Sequence, residues 1–211
     1  MVYNLVLKFQ RFLENLDSYR DKFLFIFIKP YWPRAITPNH VSWVRAFVSL
    51  ILFVLIFFYK VHDKNLIITL FIFGVFTDLI DGPIARGLNK VTEFGAMLDS
   101  TTDRLLLLPI AIYSLVRDYT QLLYLLLFME LLNLLVAVFY QSREIYLESN
   151  IFGKTKMFLM CIVFVVVLYV WPNPPPFLFI LMLWLTIPFT LLSIFTRVKE
   201  IMLKKHAKTQ S

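Results

Sequence analysis

The sequence predicts an all-α, polytopic membrane protein with six transmembrane helices and an N-terminal interfacial amphipathic helix. Three observations carry that prediction. Of the 211 residues, 59% are hydrophobic, well above the ~45–50% of a soluble domain. The mean hydropathy is +0.73. The apolar residues also gather into stretches of about 20, the helical length that crosses a hydrocarbon core. The length fits one domain.

Residues 1–17 read as an amphipathic helix. Val2, Leu5, Val6, Phe9, Phe12, Leu13 and Leu16 recur three and four residues apart, with Lys8, Arg11, Glu14 and Asn15 opposite. Such a helix suits the bilayer interface, and ordinary packing against the rest of the protein would give the same pattern. The run FLFIFI (23–28) is too short for a signal core and has no small-residue cleavage site after it, so no cleavable signal is expected. KPYWPRAITPNH (29–40) holds three prolines and cannot be one continuous helix. Tyr31 and Trp32 suit an interface, and Thr37 or Asn39 is placed to cap the next helix.

Six spans follow, at about 41–60, 65–86, 95–117, 119–142, 155–171 and 176–197, with WPNPPP (171–176) as the turn between the last two. The chain divides into an interfacial segment (1–34), a six-helix membrane domain (35–200) and a basic tail (201–211). The net charge is +7. Its basic residues flank the spans, which points to anionic lipid headgroups as partners and away from nucleic acid. Six spans leave both ends on one side, and their positive charge assigns that side to the cytoplasm of the cell (inner) membrane. The single cysteine, Cys161, allows no internal disulfide and lies in an apolar run where it fills space.

One stretch breaks the apolar pattern. DLIDGPIARGLNKVTEFGAMLDSTTDR (78–104) carries four aspartates between apolar runs. On helices advancing about 100° per residue, Asp78, Asp81, Gly82, Ala85 and Arg86 share one side of the second span. Gly95, Asp99 and Asp103 form a four-residue row on the third. Gly87 and Asn89 end the first helix and Thr92 caps the second, so a hairpin carries all four carboxylates at its cytoplasmic end. Each ionised carboxylate at membrane depth costs a few kcal/mol or so, and the four repel one another. Arg86 alone cannot neutralise them, whereas divalent cations with oxygen ligands can. Spare coordination positions then suit a phosphate-bearing substrate. Gly82, Ala85 and Gly95 remove bulk on the same faces, and Arg86 is placed to contact a phosphate. Helix capping and pairing with Arg86, Lys90 and Arg104 is the structural alternative for any one aspartate.

The pattern Asp78-x-x-Asp81-Gly82-x-x-Ala85-Arg86, eight residues, then Gly95-x-x-x-Asp99-x-x-x-Asp103 resembles the signature of the CDP-alcohol phosphotransferase family at every position. The resemblance implies a CDP-linked lipid, CDP-diacylglycerol, bound among the six helices, with two divalent ions, Mg²⁺ or Mn²⁺, bridging its diphosphate. It implies Asp78, Asp81, Asp99 and Asp103 as metal ligands, and Asp103 also as the residue that takes the acceptor's hydroxyl proton. Asp78, Gly82, Ala85, Arg86 and Gly95 would surround the CDP moiety. The acceptor hydroxyl would attack the β-phosphorus and CMP would leave. The family often forms homodimers, and one is expected here.

The acceptor is read from other basic residues. PNHVSWVR supplies Arg45, SREI supplies Arg143, and FGKTK supplies Lys154 and Lys156, all at cytoplasmic span ends. They resemble segments of bacterial phosphatidylglycerophosphate synthases, which implies a small, polar, phosphorylated acceptor, glycerol 3-phosphate. DSTTDR is more similar to phosphatidylinositol-phosphate synthases, so an inositol phosphate stays open. Membrane prenyltransferases also hold diphosphates with aspartates, but on two motifs far apart in sequence. A divalent-cation transporter would want carboxylates at mid-membrane; beyond the third span the internal acid is Glu130, whose role stays open.

Overall fold

The computed structural model describes residues 2–33, 36–61, 63–88, 90–141 and 150–209. Seven α-helices account for most of them, and no strand occurs among the described residues: α1 (Val2–Ile28), α2 (Pro38–Phe57), α3 (Lys64–Gly87), α4 (Glu93–Leu115), α5 (Thr120–Gln141), α6 (Ile151–Val170) and α7 (Phe177–Thr209). The all-α expectation holds.

Among the described residues, five helices are long and apolar enough to cross a membrane: α2, α3, α5, α6 and α7. The expected count of six is not reached on composition. Helix α4 is 23 residues long, but any membrane-length stretch of it contains Asp99, Asp103 and Arg104. The charges of the site itself keep this helix off the count.

Helix α1 is longer than the amphipathic pattern suggested. Beyond residue 17 the helix continues through FLFIFI to Ile28 and ends in a 3₁₀ turn over Lys29–Tyr31. The added turns pack: a Cβ on Gly87 would run into the Phe25 ring. Nearer its start, the Phe9 ring approaches Phe152 of α6 and Phe189 of α7, with centroids 6.1 and 6.4 Å away. Helix α7 likewise runs on through the expected basic tail to Thr209.

The helix starts follow local capping. Thr37 is the N-cap of α2, Pro38 takes the first turn, where its missing N–H is no loss, and the Thr37 N–H donates to His40 Nδ1 (3.3 Å). Thr92 caps α4, its Oγ1 accepting from the Gly95 N–H at 3.0 Å. Asn150 caps α6 in the same way (Gly153 N–H, 2.9 Å) and also donates to the Ser193 carbonyl of α7 (2.7 Å).

Helix α2 is the keel. It packs along both α3 and α4, which touch each other far less, while α6 joins α3 and α4 to α7, and α5 rests on α7. The apolar core runs through Leu52 and Ile56 of α2, Phe71 of α3, Ile110 of α4, Leu122 of α5, Phe164 of α6 and Leu183 of α7. The starts of α2, α4 and α6 and the ends of α3 and α7 gather at the other end of the bundle, and the polar residues collect there.

Candidate active site

The four aspartates meet at that polar end, two from each side of α2. Asp78 and Asp81 come from the last turns of α3, one helical turn apart, and Asp99 and Asp103 from the first half of α4. Asp78, Asp99 and Asp103 each offer a carboxylate oxygen, and all three oxygens lie within 4.8 Å of one another, an arrangement able to hold a metal ion. Asp81 sits deeper and is almost fully buried. One of its oxygens accepts from Ser42 Oγ (3.1 Å) and from Arg45.

Arg45 occupies the centre of the cluster. Its side chain is 0% exposed. Nη1 lies 3.1 Å from Asp78 and 2.9 Å from Asp99 and also bonds Asp103, while Nη2 bonds Asp81. Sequence reasoning assigned Arg45 to an acceptor's phosphate. In the structure both terminal nitrogens face the aspartates, because a desolvated guanidinium finds its best partners in four carboxylates gathered round it. One guanidinium against four carboxylates still leaves a formal charge of 1 − 4 = −3, and Asp78 and Asp99 are more than a third exposed. The donor set is all oxygen, negatively charged and open on one side, which fits a hard divalent cation.

The carboxylates open into a cavity of about 540 Å³. Gly82, Ala85, Arg86 and Gly95 line it with Asp78, Asp81, Asp99 and Asp103, so every described signature position reaches one space. Arg86 lies over Gly82, where a Cβ would be 3.0 Å from its Nη2, and also bonds Asp21 of α1. The Gly95 surface faces Asn39, which lines the same cavity.

Lys154 and Lys156 line the same cavity. Both have acidic partners. Lys154 Nζ donates to Asp17 of α1 (2.8 Å), and the buried Lys156 bonds Glu130 of α5. The other Glu130 oxygen stands 3.5 Å from Arg104 Nε, so Glu130 ties a lysine of α6 to an arginine of α4. Arg143 lies outside the described residues.

Sequence reasoning did not single out Arg197, Asn133 or Arg20. All three line the cavity, and Arg197 Nη1 donates to Asn133 Oδ1 (3.3 Å). A signal was available for Arg197. Thr186, Thr190, Ser193 and Arg197 recur at four, three and four residues and are all buried, a polar stripe on an otherwise apolar helix. Arg20 carried no such signal, since only the fold brings α1 to the cavity.

Residues 35–192 match the CDP-alcohol phosphatidyltransferase family. Three curated relatives share parts of the chain. It is 38% identical over 88 residues to the archaetidylinositol phosphate synthase of Pyrococcus horikoshii, covering 39% of this chain and 44% of that one. It is 35% identical over 81 residues to the CDP-diacylglycerol--glycerol-3-phosphate 3-phosphatidyltransferase of Rickettsia typhi (38% and 46%). It is 37% identical over 67 residues to CDP-diacylglycerol--inositol 3-phosphatidyltransferase 1 of Arabidopsis thaliana (32% and 28%). The chain spans less than half the length of the relatives it matches.

Proposed function

This chain belongs to the CDP-alcohol phosphatidyltransferase family, and from that premise we propose that it moves a phosphatidyl group from CDP-diacylglycerol to the hydroxyl of glycerol 3-phosphate. The observation that carries the proposal is that one cavity is lined by both halves of the chemistry: the four carboxylates and the basic residues Arg104, Lys154, Lys156 and Arg197.

Each residue then has a task. The donor's CDP moiety rests against Gly82, Ala85 and Gly95, with Arg86 on its diphosphate. Asp78, Asp81, Asp99 and Asp103 would hold two Mg²⁺ or Mn²⁺ ions, which supply charge neutralisation at the diphosphate. The acceptor's phosphate faces Arg104, Lys156 and Arg197, with Lys154 lining the same cavity, and Glu130 keeps Lys156 and Arg104 in register. The acceptor oxygen forms a bond to the β-phosphorus, the bond from that phosphorus to the bridging oxygen breaks, and CMP carries the bridging oxygen away. Asp103 takes the hydroxyl proton as the new bond forms.

The setting is a membrane surface. Phe12, Leu16, Tyr19, Phe23 and Ile26 form an exposed apolar stripe along α1 at alternating four- and three-residue spacing, which suits a helix lying in the interface with its bare face toward lipid. Both termini and the cavity face the cytoplasm in this reading, and the protein works as a homodimer.

An inositol phosphate is the second reading for the acceptor, favoured by the DSTTDR segment and by the two relatives named for inositol lipids. The test is CMP release by the purified protein in detergent, with CDP-diacylglycerol and Mg²⁺ or Mn²⁺. Release that depends on glycerol 3-phosphate supports the first reading. Release that depends only on inositol 1-phosphate replaces it with the second. No metal-dependent release from any CDP-linked donor would overturn the transferase reading and leave a divalent-cation transporter to be tested.

A further inference from the structure

Arg45 raises a question the transfer chemistry does not answer. An arginine has donors only and cannot ligate a metal, yet its guanidinium stands inside a carboxylate cluster suited to one. Nη1 is within hydrogen-bonding or ion-pair reach of Asp78, Asp99 and Asp103 together. Those are the same three residues whose oxygens converge within 4.8 Å. A cation liganded by this trio and the Arg45 Nη1 therefore draw on the same three carboxylates.

The rest of the residue fits a fixed counter-charge. The side chain is fully buried, and both terminal nitrogens bond only aspartates. Its backbone carbonyl accepts from Ser49 Oγ (2.8 Å) in the middle of α2. Ser42, one turn earlier, holds Asp81 (3.1 Å). Without a cation, four carboxylates from α3 and α4 would repel across α2. With the guanidinium among them, the two pairs are drawn to the helix between them.

We propose that Arg45 is a built-in cation that keeps the aspartate site assembled before metal loads and competes with the arriving metal for Asp78, Asp99 and Asp103. It is a positioning residue: it sets how tightly the site takes its ions and keeps the unloaded protein from springing apart. The inference rests on reading the aspartates as the metal site.

The experiment uses the full chain in detergent micelles, with Arg45→Gln and Arg45→Lys beside the parent. Mn²⁺ affinity is read by titration against the electron paramagnetic resonance signal of free Mn²⁺, and thermal unfolding is followed in EDTA and in saturating Mn²⁺. Arg45→Gln is expected to bind Mn²⁺ at least tenfold more tightly. Its unfolding midpoint should fall in EDTA and recover with Mn²⁺, so its metal-induced shift exceeds the parent's. Arg45→Lys keeps the charge with a single ammonium and should fall between the two, and it serves alone should Arg45→Gln fail to fold. Parent-like or weaker Mn²⁺ binding in the variants, or an equal fall in midpoint with and without Mn²⁺, overturns the inference and leaves the metal site standing. Absence of Mn²⁺ binding by the parent overturns both.

Discussion

The Asn39 carboxamide oxygen lies where a side chain on Gly95 would begin: a Cβ there would be 2.5 Å from Asn39 Oδ1 and 2.8 Å from Thr92 Oγ1. The start of α2 and the start of α4 thus meet at a glycine one turn before Asp99. Gly95→Ala should separate them and lower stability by about 1–3 kcal/mol, the usual cost of overpacking. Thermal unfolding checks this. Adding Asn39→Ala to the same chain should restore part of the loss, and no restoration at all would show that the clash is not the cause.

Asp99→Asn and Asp103→Asn should leave a folded protein and cut the rate of CMP release by about a hundredfold or more, the scale of losing a positioned acid–base group or a charged ligand. Single-turnover assays on protein whose helical circular dichroism matches the parent make the comparison. Full activity in both variants would remove the carboxylates from the chemistry.

Arg197→Gln separates acceptor binding from the donor half. A charge-assisted bond to a phosphate is worth about 1.5–3 kcal/mol. The acceptor KM should therefore rise about tenfold or more, with the CDP-diacylglycerol KM little changed. An unchanged acceptor KM would take α7 out of the binding wall.

Two ion pairs that look alike on paper should behave differently. Lys156 is only 3% exposed where it bonds Glu130, while Lys154 is 30% exposed beside Asp17. Glu130→Gln leaves a buried ammonium without its carboxylate and should cost about 2–3 kcal/mol, just below the fully buried range because Glu130 itself is partly exposed. Asp17→Asn should cost less than about 1 kcal/mol. Unfolding midpoints measured side by side give the order directly.

Asp21 gives α1 a pH dependence. Burial alone would push its carboxyl up, but the Arg86 and Arg20 guanidiniums outweigh that and hold it below the usual aspartate range. A lowered folded pKa means the stabilisation is fully present above the unfolded value of about 3.9 and is lost as pH falls through the folded value. Hydrogen-exchange protection across α1, taken relative to the intrinsic rate at each pH, should fall on acidification below pH ~4, and Asp21→Asn should remove that acid-induced part. Identical acid profiles in the parent and the variant would show that the Arg86 contact does not anchor α1.

What the sequence disclosed and what it hid follow physical lines. Long apolar runs fixed the cores of α2, α3, α5 and α6 because burial in lipid or protein demands the same composition over the same length. The aspartate rows were legible because helical periodicity alone puts Asp78 with Asp81 and Asp99 with Asp103. The hairpin was not what it seemed, since its helices meet chiefly through α2. The partners of Glu130, Lys154 and Arg86 come from α4, α6 and α1, and no local pattern announces a pairing made across 65 or 137 residues of chain.

The placement of α2 has a consequence for how the site can be tuned. Helices α3 and α4 are two jaws and α2 is the gauge between them, so the gap between the aspartate pairs is set by a helix that contributes no carboxylate. The jaws touch each other far less than either touches the gauge. Tilting or thickening the gauge, whether by a bulkier residue at Ser42 or Ser49 or by a bilayer that leans on the helix, changes the calibre of the site itself.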